Sequence, residues 1–107
     1  MNQNPPLRVS FEGLPGEEFA QRGIEDWSEG VGSEEALLMQ IASRRLQRCG
    51  IDLPPLPQCE VGTEIQLYRL LQRSHGDSAY GRYNALLRRL VSFERALEQR
   101  WSRDASA

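Results

Sequence analysis

Lysine is absent from this chain; all thirteen basic residues are arginine. Arginine is the better side chain for bidentate contacts to carboxylate or phosphate and for stacking on aromatic rings. A genome rich in G and C, which favours arginine codons, accounts for the bias more simply, so the absence does not by itself announce a nucleic-acid partner. No apolar run approaches the roughly 18 residues of a membrane span, and no membrane association is expected. Residues 1–6 lack a basic stretch leading into an apolar one. No secretory signal is therefore expected, and the expected location is the cytoplasm. Catalytic signatures are missing too: there is no P-loop, no GxGxxG fingerprint and no HExxH.

Cysteine and histidine are scarce. Cys49 and Cys59 flank a proline-rich stretch, and His75 is the single histidine. Two thiols and one remote imidazole fall short of the four closely paired ligands of a structural zinc site. A cytoplasmic setting argues against a lasting disulfide. Buried or partly buried thiols are the favoured reading, with a redox-sensitive pair as the alternative; no metal and no cofactor are expected. His75 stands at an expected helix C-terminus, where the dipole favours the charged ring. Its sequence neighbours Ser74 and Asp77 do not make a triad, whose members meet through the fold. Adjacent carboxylates at Glu17/Glu18, Glu25/Asp26 and Glu34/Glu35 point apart on a helix and suit helix starts and solubility. No catalytic residue is assigned, and the chain is not expected to be an enzyme.

What the sequence has in abundance is helical periodicity. Ser33 stands as a cap with Glu34 and Glu35 in the first turn, Arg44, Arg45 and Arg48 in the last, and Gly50 as the stop, which predicts a helix over 33–49. Leu37, Leu38, Ile41, Ala42 and Leu46 supply its buried stripe. Pro15 at a first helical position, followed by Glu17 and Glu18, predicts another helix over 15–29, in which Gly23 either permits close packing or divides the segment. Thr63 and Gln66 fit a capping box opening a helix over 63–75. The longest signal is 77–103, with Asp77 as its cap. Its seam reads Tyr83, Leu86, Leu90, Phe93, Leu97, Trp101, and Leu87 and Val91 form a second row beside it. The prolines of the connector 51–58 forbid helix there and space the helices on either side.

These elements predict an all-α fold: one compact bundle of four helices over 7–107, preceded by a flexible tail at 1–6 and a short extended arm at 7–12. In that arm Leu7 to Phe11 alternates apolar and polar residues. With no second strand to pair with, the arm is expected to lie on the helices, Val9 or Phe11 plugging a groove, or else to meet another chain.

Charge is divided unevenly: residues 1–60 carry a balance of −5 and residues 61–107 one of +3. The favoured reading is that the acidic half packs beside the basic half. Six arginines lie between 77 and 103, and Arg82/Arg89 and Arg88/Arg95 are each seven apart. Such a row can track phosphates, with Asn84 on a base edge, but Glu94 and Glu98 interrupt it and the pI near 5.4 is low for a DNA-binding domain. The expectation is therefore a small non-catalytic cytoplasmic module that binds another protein, as an adaptor, inhibitor or assembly factor. Its contact residues would be Arg82, Arg88, Arg89 and Arg95, with Trp101 and Tyr80 as anchors and Val9 and Phe11 as a secondary contact. A nucleic-acid-associated regulator using the same arginines and an accessory subunit of a larger enzyme are the alternatives. A homodimer is a further option for the broad seam.

Overall fold

The computed structural model describes residues 11–106, and within them the chain is all-α, with no strand. Five helical segments follow one another: α1 Glu17–Ser28, α2 Glu34–Ile41, α3 Ser43–Arg48, α4 Thr63–His75 and α5 Ala79–Ser106. Because α2 and α3 continue one another through a bend, the architecture is the expected bundle of four helices. The tail and most of the arm, Val9 included, lie outside the described residues.

The entry to α1 differs from the expected start at Pro15. Leu14 N–H bonds the Phe11 carbonyl and Glu17 N–H bonds the Leu14 carbonyl, at 3.0 and 3.1 Å. Two turns thus succeed each other, with Gly13 and Gly16 at positive φ of 81° and 85° in their third positions. Gly16 rather than a side chain caps the helix, and Pro15 stays outside it. The chain is therefore turning by residue 11, where the arm was expected to run extended to 12.

Helix ends follow their local chemistry closely. α1 and α3 both finish in Schellman motifs. Val31 N–H reaches the Asp26 carbonyl at 2.8 Å and Gly30 N–H that of Trp27 at 3.1 Å; Ile51 and Gly50 repeat the pattern on Leu46 and Gln47. Ser33 caps α2 as its sequence predicts, its hydroxyl accepting from Ala36 N–H at 3.1 Å. The same hydroxyl donates to Asp26 Oδ2 at 2.7 Å, which ties the end of α1 to the start of α2.

Three further expectations are corrected. The helix over 33–49 is bent at Ala42, whose ψ of 2° lies outside the α region. Hydrogen bonds from Ala42 to Leu38 and from Leu46 to Ala42 persist, so the element kinks without ending. The capping box at Thr63 does not form: Gly62 is the cap, and the Gln66 amide donates to the Val61 carbonyl at 2.7 Å, outside the helix. Asp77 does not open the last helix; Gly76–Ser78 make a turn of 3₁₀ helix, and α5 runs on from Ala79 to Ser106.

All the α-helical segments feed one core. Phe93, Leu38, Met39, Leu46, Leu67, Leu71, Leu97 and Cys49 are its largest fully buried side chains. Burying a leucine or phenylalanine contributes about 1.5–3 kcal/mol, so this cluster dominates the stability. α1 lies close on α2 because Gly23 is buried in their contact: a Cβ there would stand 2.4 Å from the Glu35 carbonyl oxygen. The connector is held by Trp27, whose indole Nε1–H donates to the Pro55 carbonyl at 3.2 Å. α5, at 28 residues, spans about 42 Å at 1.5 Å per residue. That nearly matches the 47 Å long axis of the molecule, so α5 is its spine.

Candidate functional site: the two flanks of the last helix

The arginines of α5 do not form one face. Residues seven or eleven apart on an α-helix share a flank, and the buried seam separates two such rows. Arg82, Arg89 and Arg100 occupy one. Arg82 Nη2 lies 3.4 Å from Glu34 Oε1. Arg89 places its guanidinium carbon 5.3 Å from the centre of the Phe19 ring. Arg100 Nη1 donates to the Glu12 carbonyl at 2.7 Å. These three bind α5 to α2, α1 and the entry turns. His75 joins the first of them, its Nε2 lying 3.6 Å from Glu34 Oε2 and pairing with it when the ring is protonated. Arg82 and Arg89, expected together with Arg88 and Arg95 on a partner-facing strip, are thus directed at the protein itself.

The other flank carries Asn84, Leu87, Arg88, Val91, Ser92 and Arg95, which line an open, shallow concavity. Leu87 is half-buried, and Val91, Arg88 and Arg95 are exposed. On the inner edge of this row Glu94 and Glu98 turn toward α3. Arg45 Nη1 bonds Glu94 Oε1 at 2.8 Å, and Arg45 Nε approaches Glu98 Oε2 at 3.2 Å. The hydrogen bond and the two negative charges hold the guanidinium protonated still more firmly than usual. The two glutamates, expected to interrupt the exposed arginine strip, instead serve a cross-helix staple.

Tyr80 continues the exposed row toward the start of α5 and is 67% exposed. It opens onto a cleft between α4 and α5 of about 380 Å³, lined also by Glu64, Ile65, Tyr68 and Tyr83. Tyr68 and Tyr83 meet edge to face, their ring centres 5.5 Å apart and their planes at 90°. Burial, and next the charge of Glu64, push the Tyr83 phenol above its ordinary pKa. Sequence reasoning singled out Tyr80 alone. The pairs Ile65/Tyr68 and Tyr80/Tyr83, each spaced by three on either side of the His75–Gly76 turn, were the available signal.

The remaining candidates are placed as follows. Trp101 is half-buried against the core rather than standing free. Phe11 packs on Phe93, ring centres 5.1 Å apart and planes at 82°. Cys49 is buried, Cys59 is exposed, and both are free thiols. Burial chiefly, and Glu98 next, push the Cys49 thiol up. A smaller concavity between α2 and α4 brings Arg69 and Arg73 beside Cys59, a grouping that no sequence motif marks. Among the described residues no three of His, Cys, Asp and Glu gather as metal ligands, and no helix is long and apolar enough to cross a membrane. Compared with protein-family models, curated proteins and solved structures, the chain finds no match.

Proposed function

We propose that this protein is a small non-catalytic cytoplasmic module that binds another protein through the outer flank of α5. The observation that supports this reading is the row Tyr80, Leu87, Arg88, Val91, Arg95. It sets apolar side chains between arginines and an exposed tyrosine, on the helix that spans the molecule. Tyrosine and arginine around a small apolar centre are the side chains that dominate interface hot spots. The guanidiniums favour an acidic partner surface and steer its approach. Arg82 and Arg89 lie on the opposite flank, in contact with Glu34 and Phe19, and are left out of this proposed surface.

The test is a crosslinking pull-down from the native cell with Arg88→Glu/Arg95→Glu, beside Arg82→Glu/Arg89→Glu. The first pair is expected to lose the partner while keeping its unfolding midpoint. The second is expected to lower the midpoint through lost packing on α1 and α2. An unchanged partner set for the first pair sinks the reading. Retardation of duplex or single-stranded nucleic acid at low salt would transfer the same flank to phosphate binding. Recovery in fixed stoichiometry with a larger enzyme would narrow the module to an accessory subunit.

A further inference from the structure

We propose that the tyrosine cleft between α4 and α5 is a binding site for a quaternary ammonium group. Three aromatic rings, one aliphatic side chain and one carboxylate converge on it: Tyr68, Tyr80, Tyr83, Ile65 and Glu64. Aromatic faces carry negative potential, and a cation within about 6 Å of a ring centre is attracted to it. The perpendicular Tyr68 and Tyr83 form two walls of a corner. Tyr80, 67% exposed, supplies a third ring at the cleft's open edge. Glu64 adds a formal negative charge and makes no ion pair with the described residues. Its field already reaches the cleft, since it contributes to the raised pKa of the Tyr83 phenol.

The kind of cation follows from the hydrogen-bonding inventory. A lysine ammonium has three N–H donors to satisfy and an arginine guanidinium five. The side chains lining the cleft set one carboxylate and three phenols beside an isoleucine, and most of the surface they present is ring and aliphatic carbon. A quaternary ammonium has no donor and wraps its charge in methyl groups, so rings and an isoleucine satisfy it without leaving N–H groups unpaired. Two sources share this chemistry: a free choline-like molecule and a trimethylated lysine on a polypeptide. The cleft shares Tyr80 with the proposed protein-binding row, but Glu64, Ile65, Tyr68 and Tyr83 stand apart from it and Arg88 and Arg95 lie outside the cleft, so the inference does not rest on that reading.

The experiment is an NMR titration of the full chain with choline, with a trimethyllysine peptide and its unmodified lysine twin, and with 3,3-dimethylbutanol as choline's neutral isostere. Saturable shifts centred on Tyr80 and Ile65 are expected with choline or the trimethyllysine peptide. The neutral isostere, and for the peptide arm the lysine twin, should bind about tenfold more weakly. Tyr80→Ala and Glu64→Gln, both at exposed positions, should each weaken binding several-fold with the unfolding midpoint unchanged. Tyr80→Phe should keep the affinity. Tighter binding of choline assigns a free metabolite; tighter binding of the peptide assigns a modified polypeptide. Absence of saturable shifts with either cation at millimolar concentration overturns the proposal. Equal binding of the neutral isostere does so as well, since it would reveal an apolar slot with no preference for charge.

Discussion

At the residue scale, Gly23 shows how one missing Cβ sets a helix–helix distance. Sequence alone left two roles open for it, and the buried contact with Glu35 and Met39 selects close packing. Gly→Ala inside an ordinary helix stabilises by roughly 1 kcal/mol. Here the added carbon would stand 2.4 Å from backbone oxygen and 2.6 Å from Met39 Cγ, and overpacking of that kind costs about 1–3 kcal/mol. Because the clash at 2.4 Å is with backbone, the cost belongs at about 2–3 kcal/mol. Less the propensity gain of roughly 1 kcal/mol, Gly23→Ala is expected to destabilise by about 1–2 kcal/mol in urea unfolding, opposite in sign to the propensity effect. The cysteines give a second residue-scale test. Cys59 is exposed, whereas Cys49 is buried with its pKa raised, so little thiolate forms and little reagent arrives. A thiol reagent at neutral pH should titrate one equivalent quickly and the second only on unfolding. Two rapid equivalents would contradict the burial of Cys49.

At the scale of elements, the C-terminal stops of α1 and α3 and the Ser33 cap of α2 were the most legible helix ends. Gly50 was read as a helix stop, and Gly50 and Gly30 both sit at positive φ closing Schellman motifs. No Cβ contact would arise at Gly30, so Gly30→Ala isolates the left-handed strain and should cost about 1 kcal/mol. Gly32→Ala, equally open and at no positive φ, should be neutral or slightly stabilising by the same unfolding measurement. What could not be read is equally specific. Thr63 and Gln66 have the right spacing for a capping box, but the chain enters from Val61 in a direction that offers Gln66 a nearer carbonyl. The α2–α3 bend leaves no trace in propensity. It brings Arg45 onto Glu94, forty-nine positions away, a contact that no local pattern encodes. Arg45→Ala would leave the carboxylate of Glu94, only 7% exposed, without its cation. Breaking buried pairs costs 3–5 kcal/mol; with Arg45 itself 45% exposed and screened, about 2 kcal/mol is expected. Arg45→Met with Glu94→Met should recover most of that loss, and a double variant no better than the single would rule out an unpaired charge as the cause.

At the scale of the whole molecule, α5 is joined to the acidic half of the sequence by the pair of Arg82 with Glu34, by Arg89 on the Phe19 ring and by Arg100 on the Glu12 carbonyl. Spacing along the helix already divides its arginines into Arg82/Arg89 and Arg88/Arg95; what spacing does not show is which neighbour covers each flank. A global consequence is alkaline sensitivity. Cys49 and Tyr83, both proton donors whose charged form is disfavoured by burial and by a nearby carboxylate, have pKa values raised in the folded state. The fold thus binds more protons than the unfolded chain once pH passes the ordinary thiol value of 9.0, and stability must fall as pH rises there. The contribution is fully present below that value and is lost as pH climbs through each folded-state pKa, Tyr83 acting above 10.0. Urea midpoints measured at pH 8 and pH 10.5 should therefore decline. The decline should shrink in Cys49→Ala/Tyr83→Phe, whose remaining groups feel the same general rise in negative charge. Equal slopes in the two proteins would place the alkaline loss in net repulsion across the surface, and would remove the buried thiol and the half-buried phenol as its source.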